Sequence, residues 1–510
     1  MKKTHERIEQ GIFFAVRILL TVLVCLVLFL LLLDSVIGFS YTWKVTFPWE
    51  NFVLFLLSLA VLLTVLFVWK ERELPFARAV WITAGVSLLV QILLMVHLYA
   101  YARGDAGVVS EFARRIVYGE NADDYVAYFS SCPNNLFLTV LEVGILWVCK
   151  VLSIGNWRLV LILLGCLLTS CSGVLLAFTA KNVTKNAQVS LLFYGIFVAF
   201  IVFSPRNTVP YSDVYGMIFP LLTLFLWTDG TRKTRYPFAA LAGLSAAIGA
   251  AIKPTVAIVL IAIFLVDGVR LFTSDGKKER AISLGLLLAG ALCGLFLTVL
   301  LTGLLPFAFD KEAELGLWHY FMMGQNAETN GTYSAEDNAF SRAFATLADR
   351  ARANRTEAFS RIGEMGFFGY LGHLCKKLLV TFGDGAFCWR YECEFVTGIP
   401  ETNGLGRLLR AFFRAEGGAY DVYEVLCQLL WIFLLLCLAG NLFNGDSDPI
   451  ILLTLVGVGG YQLLFEAGAR YLFLFTPFFV LAAATGFCGW KKRLAPLVLI
   501  GLRRVCRERS

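Results

Sequence analysis

A chain of 510 residues that is 58% hydrophobic and only 16% charged, with a mean hydropathy of +0.73, is too apolar for a soluble globular protein. Its net charge of +7 comes from 44 lysines and arginines against 37 acids, and the bases cluster between apolar runs. That is the positive-inside bias of a polytopic membrane protein rather than a nucleic-acid footprint, and no nucleic-acid motif accompanies it.

A helix crosses a hydrocarbon core with about 20 apolar residues. In chain order the runs are 12–33, 52–69, 79–100, 134–152, 158–180, 189–203, 214–228, 237–251, 254–272, 281–305, 422–443, 450–465 and 470–489. They predict an all-α polytopic fold of about 11–13 transmembrane helices. The first run is long and lacks a small-residue cleavage site, so it reads as a retained anchor. The expected organisation is a tail and three helices over 1–100, and a transmembrane core over 101–305 whose first large outer loop is 101–133. An extracytoplasmic segment follows over 306–421, then helices over 422–489 and a basic tail over 490–510.

Lys2, Lys3 and Arg7, Lys70, Arg72 and Arg78, Arg232, Lys233 and Arg235, Lys277, Lys278 and Arg280, and Lys491, Lys492 and Arg493 all belong on the cytoplasmic side. Counting from both ends then puts 101–133, 204–213, the Lys253 region, 306–421 and 466–470 on the outer face. With Lys181 and Lys185 inside, residues 134–180 must cross an odd number of times, although two runs lie there. The run 134–152, which carries Glu142 and Lys150, is the one expected not to cross fully.

Most of the thirteen cysteines fall inside apolar runs and act as small hydrophobes. Cys388 and Cys393 are placed where an oxidising compartment would allow a bridge. No CxxC or Cys/His cluster supports a zinc site. Asp123 and Asp124 read as a solvated loop rather than a cation site, so no metal or cofactor is expected.

Five places on the expected outer face carry chemistry. Asp105, between Gly104 and Ala106, is either a general base open to a sugar hydroxyl or a helix cap for AGVVSEFARRI. In YFSSCPNN, Pro133 can open a helix while Asn134 and Asn135 offer amide hydrogen bonds. Asp213, with Tyr211 and Ser212 in VPYSDVYG, caps a helix or lines a site. Lys253 in AIKPT sits at a proline break, where its ammonium either binds phosphate or snorkels to the interface. Glu466 and Arg470 in FEAGARYLFLFTP are four residues apart, as an i,i+4 ion pair or with the arginine clamping a phosphate.

The early acid Asp105, the Pro133-Asn134-Asn135 turn, the acid after Tyr211-Ser212, the Lys253-Pro254 break and the ExxxRYxxxxxP pattern from Glu466 to Pro477 resemble the membrane glycosyltransferases of the GT-C superfamily. The stretches WHYFMMGQNAETNGTYSAED and KKLLVTFGDGAFCW are similar to the outer segment of a Gram-positive branch related to protein O-mannosyltransferases and lipid A aminoarabinose transferases. The resemblance runs from about Asp105 to Pro477, with Cys132 standing where an aromatic residue is expected in that family and Phe382 where a tryptophan is common. It implies Asp105 as catalytic base and Lys253 and Arg470 as holders of donor phosphate. Asn134, Asn135, Tyr211, Asp213, Glu466 and Tyr471 would line the site.

The expected activity is metal-independent transfer of a single sugar from a polyprenyl-phosphate donor to a cell-wall glycan or similar acceptor, on the extracytoplasmic face of a bacterial plasma membrane. A transporter or flippase of lipid-linked sugars is the competitor from another class, since it would use the same cations without a base. A polysaccharide polymerase or ligase is the third reading.

Overall fold

The computed structural model describes residues 2–38, 50–228, 235–273, 276–397 and 404–508. The chain is an all-α polytopic membrane protein. Among the described residues, nine helices are long and apolar enough to cross a membrane, and four shorter apolar helices, Ala187–Val202, Ser212–Thr228, Tyr236–Ile252 and Pro449–Leu464, correspond to the remaining runs. Arg232 and Lys233 lie outside the described residues.

The principal helices are α1 (Lys2–Ile37), α2 (Glu50–Val68), α3 (Phe76–Leu98), α4 (Gly104–Tyr118), α5 (Leu136–Val151), α6 (Trp157–Thr184), α7 (Arg235–Ile252), α8 (Ala257–Thr273), α9 (Lys277–Thr302), α10 (Leu347–Phe382), α11 (Tyr420–Ala439), α12 (Pro449–Leu464) and α13 (Thr476–Glu508). Lipid-like composition does not mean lipid exposure. Of α13's apolar window, 94% is buried, against 22% for α2, so α13 is the central post of the bundle.

The loops sort to two ends. At one end Lys491 pairs with Glu71 and Lys492 with Asp446, Arg270 faces Glu9, and the Lys181 ammonium lies over Phe76. These segments are the ones that the distribution of lysine and arginine places together on the cytoplasmic side. At the other end Asp105, Asn135, Tyr211, Asp213, Lys253 and Arg470 gather.

The lie of α5 bears on the odd number of crossings required of residues 134–180. Its start at Asn135 joins Tyr128 and Asp105 near the start of α4, and near its end the Lys150 ammonium donates to the Val117 carbonyl near the end of α4. The two helices therefore run side by side in the same direction. Helix α6 then opens at the Asp105 end, where Tyr99 donates to Asn156 and Arg158 lies over Tyr101. Trp157 and Leu161 of α6 also pack on Val117, Leu146 and Cys149 near the ends of α4 and α5, so α4, α5 and the start of α6 lie against one another. The run is long and apolar enough to span, yet it travels with a helix carrying Glu111, Arg114 and Arg115. Its Glu142 side chain is turned inward and fully buried.

Segment 306–421 does not stand apart as a domain of its own. Its opening packs over the site end, and its later part enters the bundle: Leu378, Leu379, Val380 and Phe382 are buried, and Trp431 of α11 donates to the Phe382 carbonyl. Val396–Thr397 (β2) pairs antiparallel with Tyr101–Ala102 (β1), tying the end of this segment to the start of the Asp105 loop. Cys388 and Cys393 are free thiols, so the possible bridge is not formed.

Helices α7 and α9 touch backbone to backbone. A Cβ on Gly290 would come within 1.9 Å of the Ala240 carbonyl, and one on Gly243 within 1.9 Å of the Leu287 carbonyl. Small residues permit this approach where lipid supplies no hydrophobic drive for helix association. Gly290→Val is expected to destabilise the bundle by about 1–3 kcal/mol or more, read as a lowered Tm of the detergent-solubilised protein. An unchanged Tm would contradict the close approach.

Candidate functional site

Each segment reaches the site by a local break in its helix. Pro254 cannot continue α7, so the backbone turns extended at Lys253 (φ −147°, ψ 112°). Pro133 opens a short 3-10 turn that sets Asn135 at the start of α5. Gly468 and the 3-10 stretch Ala469–Phe475 carry Arg470 and Tyr471.

Asp105 lies in the first turn of α4, where Arg103 is the capping position and makes no side-chain cap. An acid there suits the helix dipole, but its Oδ1 accepts instead from the Tyr128 hydroxyl at 2.8 Å. Asn135 Nδ2 donates to the Tyr128 oxygen at 2.7 Å, and the Tyr211 hydroxyl donates to Asn135 Oδ1 at 3.0 Å. Every donor in this chain points toward the exposed carboxylate. Burial, with Asp105 nearby, pushes the Tyr128 phenol well up, so it stays protonated and remains a donor.

The second half of the site is a charge cluster. Asp213 is ion-paired with Lys253, and Arg470 stands 3.7 Å from its other oxygen. Arg470 also bonds Glu392 at 3.1 Å, and Arg206 lies 3.9 Å from the same carboxylate. The Tyr471 ring lies under Lys253 at 4.8 Å and under Arg470 at 5.1 Å, and its hydroxyl donates to Glu466 at 2.7 Å. Of the three cations, Arg470 has the most open side chain, at 27% exposed against 11% for Lys253 and 4% for Arg206.

A family model described as conserved hypothetical integral membrane protein matches residues 1–488. The chain belongs to that family. No curated protein matches, and no solved structure matches.

In this member of the family, eight of the nine residues singled out from the sequence meet at one end of the bundle. Asn134 does not join them; it is exposed beside the turn while Asn135 points inward. Glu466 and Arg470 are not an i,i+4 pair on one helical face, because Glu466 precedes the 3-10 stretch. Glu466 bonds Tyr471, and Arg470 turns to Glu392 and Asp213. Asp213 caps nothing: Tyr211 is the capping position, and the carboxylate goes to Lys253.

Sequence reasoning missed Tyr128, Arg206, Glu392 and Lys377. Arg206 carried a usable signal as a lone base in the short apolar stretch FSPRNTVP, and it is 3% exposed. Lys377 carried none, since it follows Lys376 in what reads as a solvated pair. In the structure it is fully buried and donates to the Gly324 and Phe465 carbonyls at 2.7 Å each.

Burial lowers the Lys377 ammonium from 10.5 to about 7, opposed by the charge of Glu466, and burial raises the Glu466 carboxyl. Between about 7 and 10.5 the unfolded chain holds the lysine proton that the folded chain has released. Stability contributed by this residue therefore rises with pH across that window. Against Lys377→Met, the wild-type Tm is expected to gain as pH is raised from neutral toward 10. Parallel Tm curves for the two proteins would contradict a buried, proton-releasing amine.

Proposed function

We propose that the protein is a membrane glycosyltransferase of GT-C type, moving one sugar from a polyprenyl-phosphate donor to the hydroxyl of an extracytoplasmic glycan. The observation that carries this reading is the junction of two half-sites through Tyr211. An oriented, exposed carboxylate lies on one side, and a partly buried cluster of cations against a tyrosine ring lies on the other.

In this reaction Asp105 takes the proton from the acceptor hydroxyl as its oxygen attacks the anomeric carbon. The bond from that carbon to the phosphate oxygen breaks, and the lipid phosphate leaves with the electron pair. Attack opposite the leaving group inverts the anomeric configuration. With Tyr128 holding Oδ1, Oδ2 is left for the acceptor. Arg470 is the cation best placed to meet the phosphate, with Lys253 behind it, and their charge counts most where it develops in the transition state. Each cation already faces a carboxylate, so a bound phosphate would share them with Asp213 and Glu392. That suits a leaving group held firmly in the transition state and loosely afterwards.

A transporter of lipid-linked sugars would need the cations and the lipid-facing helices. It has no use for an exposed acid oriented by a three-residue hydrogen-bond chain, which is why transfer is the preferred reading. The deciding experiment is sugar transfer from a polyprenyl-monophosphate donor by the wild type and by Asp105→Asn.

A further inference from the structure

A cavity of about 370 Å³ opens beside Asp105, lined in part by Arg103, Gly104, Ser110, Glu111, Trp157 and Arg158, a volume in the small-molecule range. Asp105 and Tyr211 do not line it themselves, but the residues that precede them, Gly104 and Pro210, do, so the cavity adjoins both ends of the hydrogen-bond chain.

Its recognition element is Arg158. The guanidinium carbon lies 4.2 Å from the Trp157 ring centroid and 4.6 Å from that of Tyr101, so stacking holds it flat. Most of the ordering cost of an arginine fork is therefore met by the fold. Its acidic neighbour Glu111 is shared among three arginines: it accepts from Arg114 at 2.7 Å and from Arg115 at 3.5 Å, and Arg158 holds the longest contact, an ion pair at 3.6 Å. The Arg158 side chain is 40% exposed. Arg103 is exposed and lines the same cavity. The charged lining groups are thus two guanidiniums and one carboxylate, and that carboxylate's shortest bonds go to Arg114 and Arg115, which do not line the cavity.

We infer that this cavity binds the anionic group of a saccharide, a carboxylate or phosphate on the acceptor glycan, and presents the neighbouring hydroxyl to Asp105. The word acceptor rests on the transferase reading, whereas anion binding at Arg158 does not. Gly107 keeps the cavity's shape: a Cβ there would come within 2.5 Å of the Ala102 carbonyl, so only glycine lets β1 lie against α4.

The test is binding to the purified full-length protein in detergent, with an oligoglucuronate, a sugar phosphate and a neutral malto-oligosaccharide as probes. At least one anionic probe should bind more tightly than the neutral one, and the better of the two names the acid. Arg158→Gln should weaken that binding by about tenfold or more, the scale of one charged hydrogen-bond pair. Arg103→Gln, at the exposed rim, should weaken it too, with Tm unchanged. Arg352→Gln, at an exposed guanidinium that does not line the cavity, should leave it within about twofold. Equal binding of the neutral probe, or the same loss on Arg352→Gln as on Arg158→Gln, would overturn the assignment. Anion binding that needs Arg158 without transfer to any acceptor would sink the transferase reading and leave the cavity's role standing. Transfer whose acceptor KM ignores Arg158→Gln would do the reverse.

Discussion

Replacing Asp105 with asparagine is expected to lower sugar transfer by about 10²–10⁴-fold, the usual contribution of a positioned general base, with donor binding and Tm close to wild type. The expectation of an intact fold follows from the geometry. Asp105 is exposed and, among the described residues, makes no cap and no ion pair, and asparagine can still accept from Tyr128 through its side-chain oxygen. What disappears is the basic oxygen. Tyr128→Phe separates orientation from basicity: it removes the donor that fixes Oδ1 and should cost less than the loss of the acid. If Asp105→Asn transferred sugar at the wild-type rate, Asp105 would be no base.

Lys253→Ala should be the most damaging change in the cluster, because it strands Asp213, whose side chain is 6% exposed. Removing one partner of a buried pair costs about 3–5 kcal/mol. Arg470, at 3.7 Å from the other carboxylate oxygen, should hold the loss toward the lower end. Stability alone cannot tell a structural pair from a ligand-binding one, so the informative protein is the double variant Lys253→Met with Asp213→Asn. With neither charge left buried, Tm should recover much of its loss. Donor binding should stay weak, because the phosphate has lost a cation. Recovery of both would make the pair purely structural.

The bundle was legible in the chain because spanning helices need long apolar runs and their loops carry a charge bias. All thirteen runs correspond to helices, and the two ends sort as the lysines and arginines require. The crossing problem at 134–180 was visible from charge alone, but the packing of α4, α5 and α6 that bears on it was not. It depends on Lys150 reaching Val117 and on Arg158 lying over Tyr101, contacts between residues 33 apart in one case.

The site was legible where a residue breaks a local rule. Lys253 before a proline, Asp213 and Arg470 among apolar neighbours, and Asn135 in a Pro-Asn-Asn turn each interrupt a pattern and so drew attention. Partners that break no rule were invisible. Tyr128 is one tyrosine among eighteen, and Glu392 sits in the charge-bearing WRYECEF. Asn134 shows the converse limit: in a 3-10 turn, adjacent asparagines point in different directions, and only Asn135 reaches the tyrosines.

The most direct test places the purified protein in vesicles with a polyprenyl-monophosphate-linked sugar and a glycan acceptor, and follows the sugar. The transferase account predicts that sugar appears on the glycan with release of polyprenyl phosphate, and that Asp105→Asn stops both while the donor still binds. Movement of intact donor from one leaflet to the other, without transfer and at the same rate in Asp105→Asn, would contradict it.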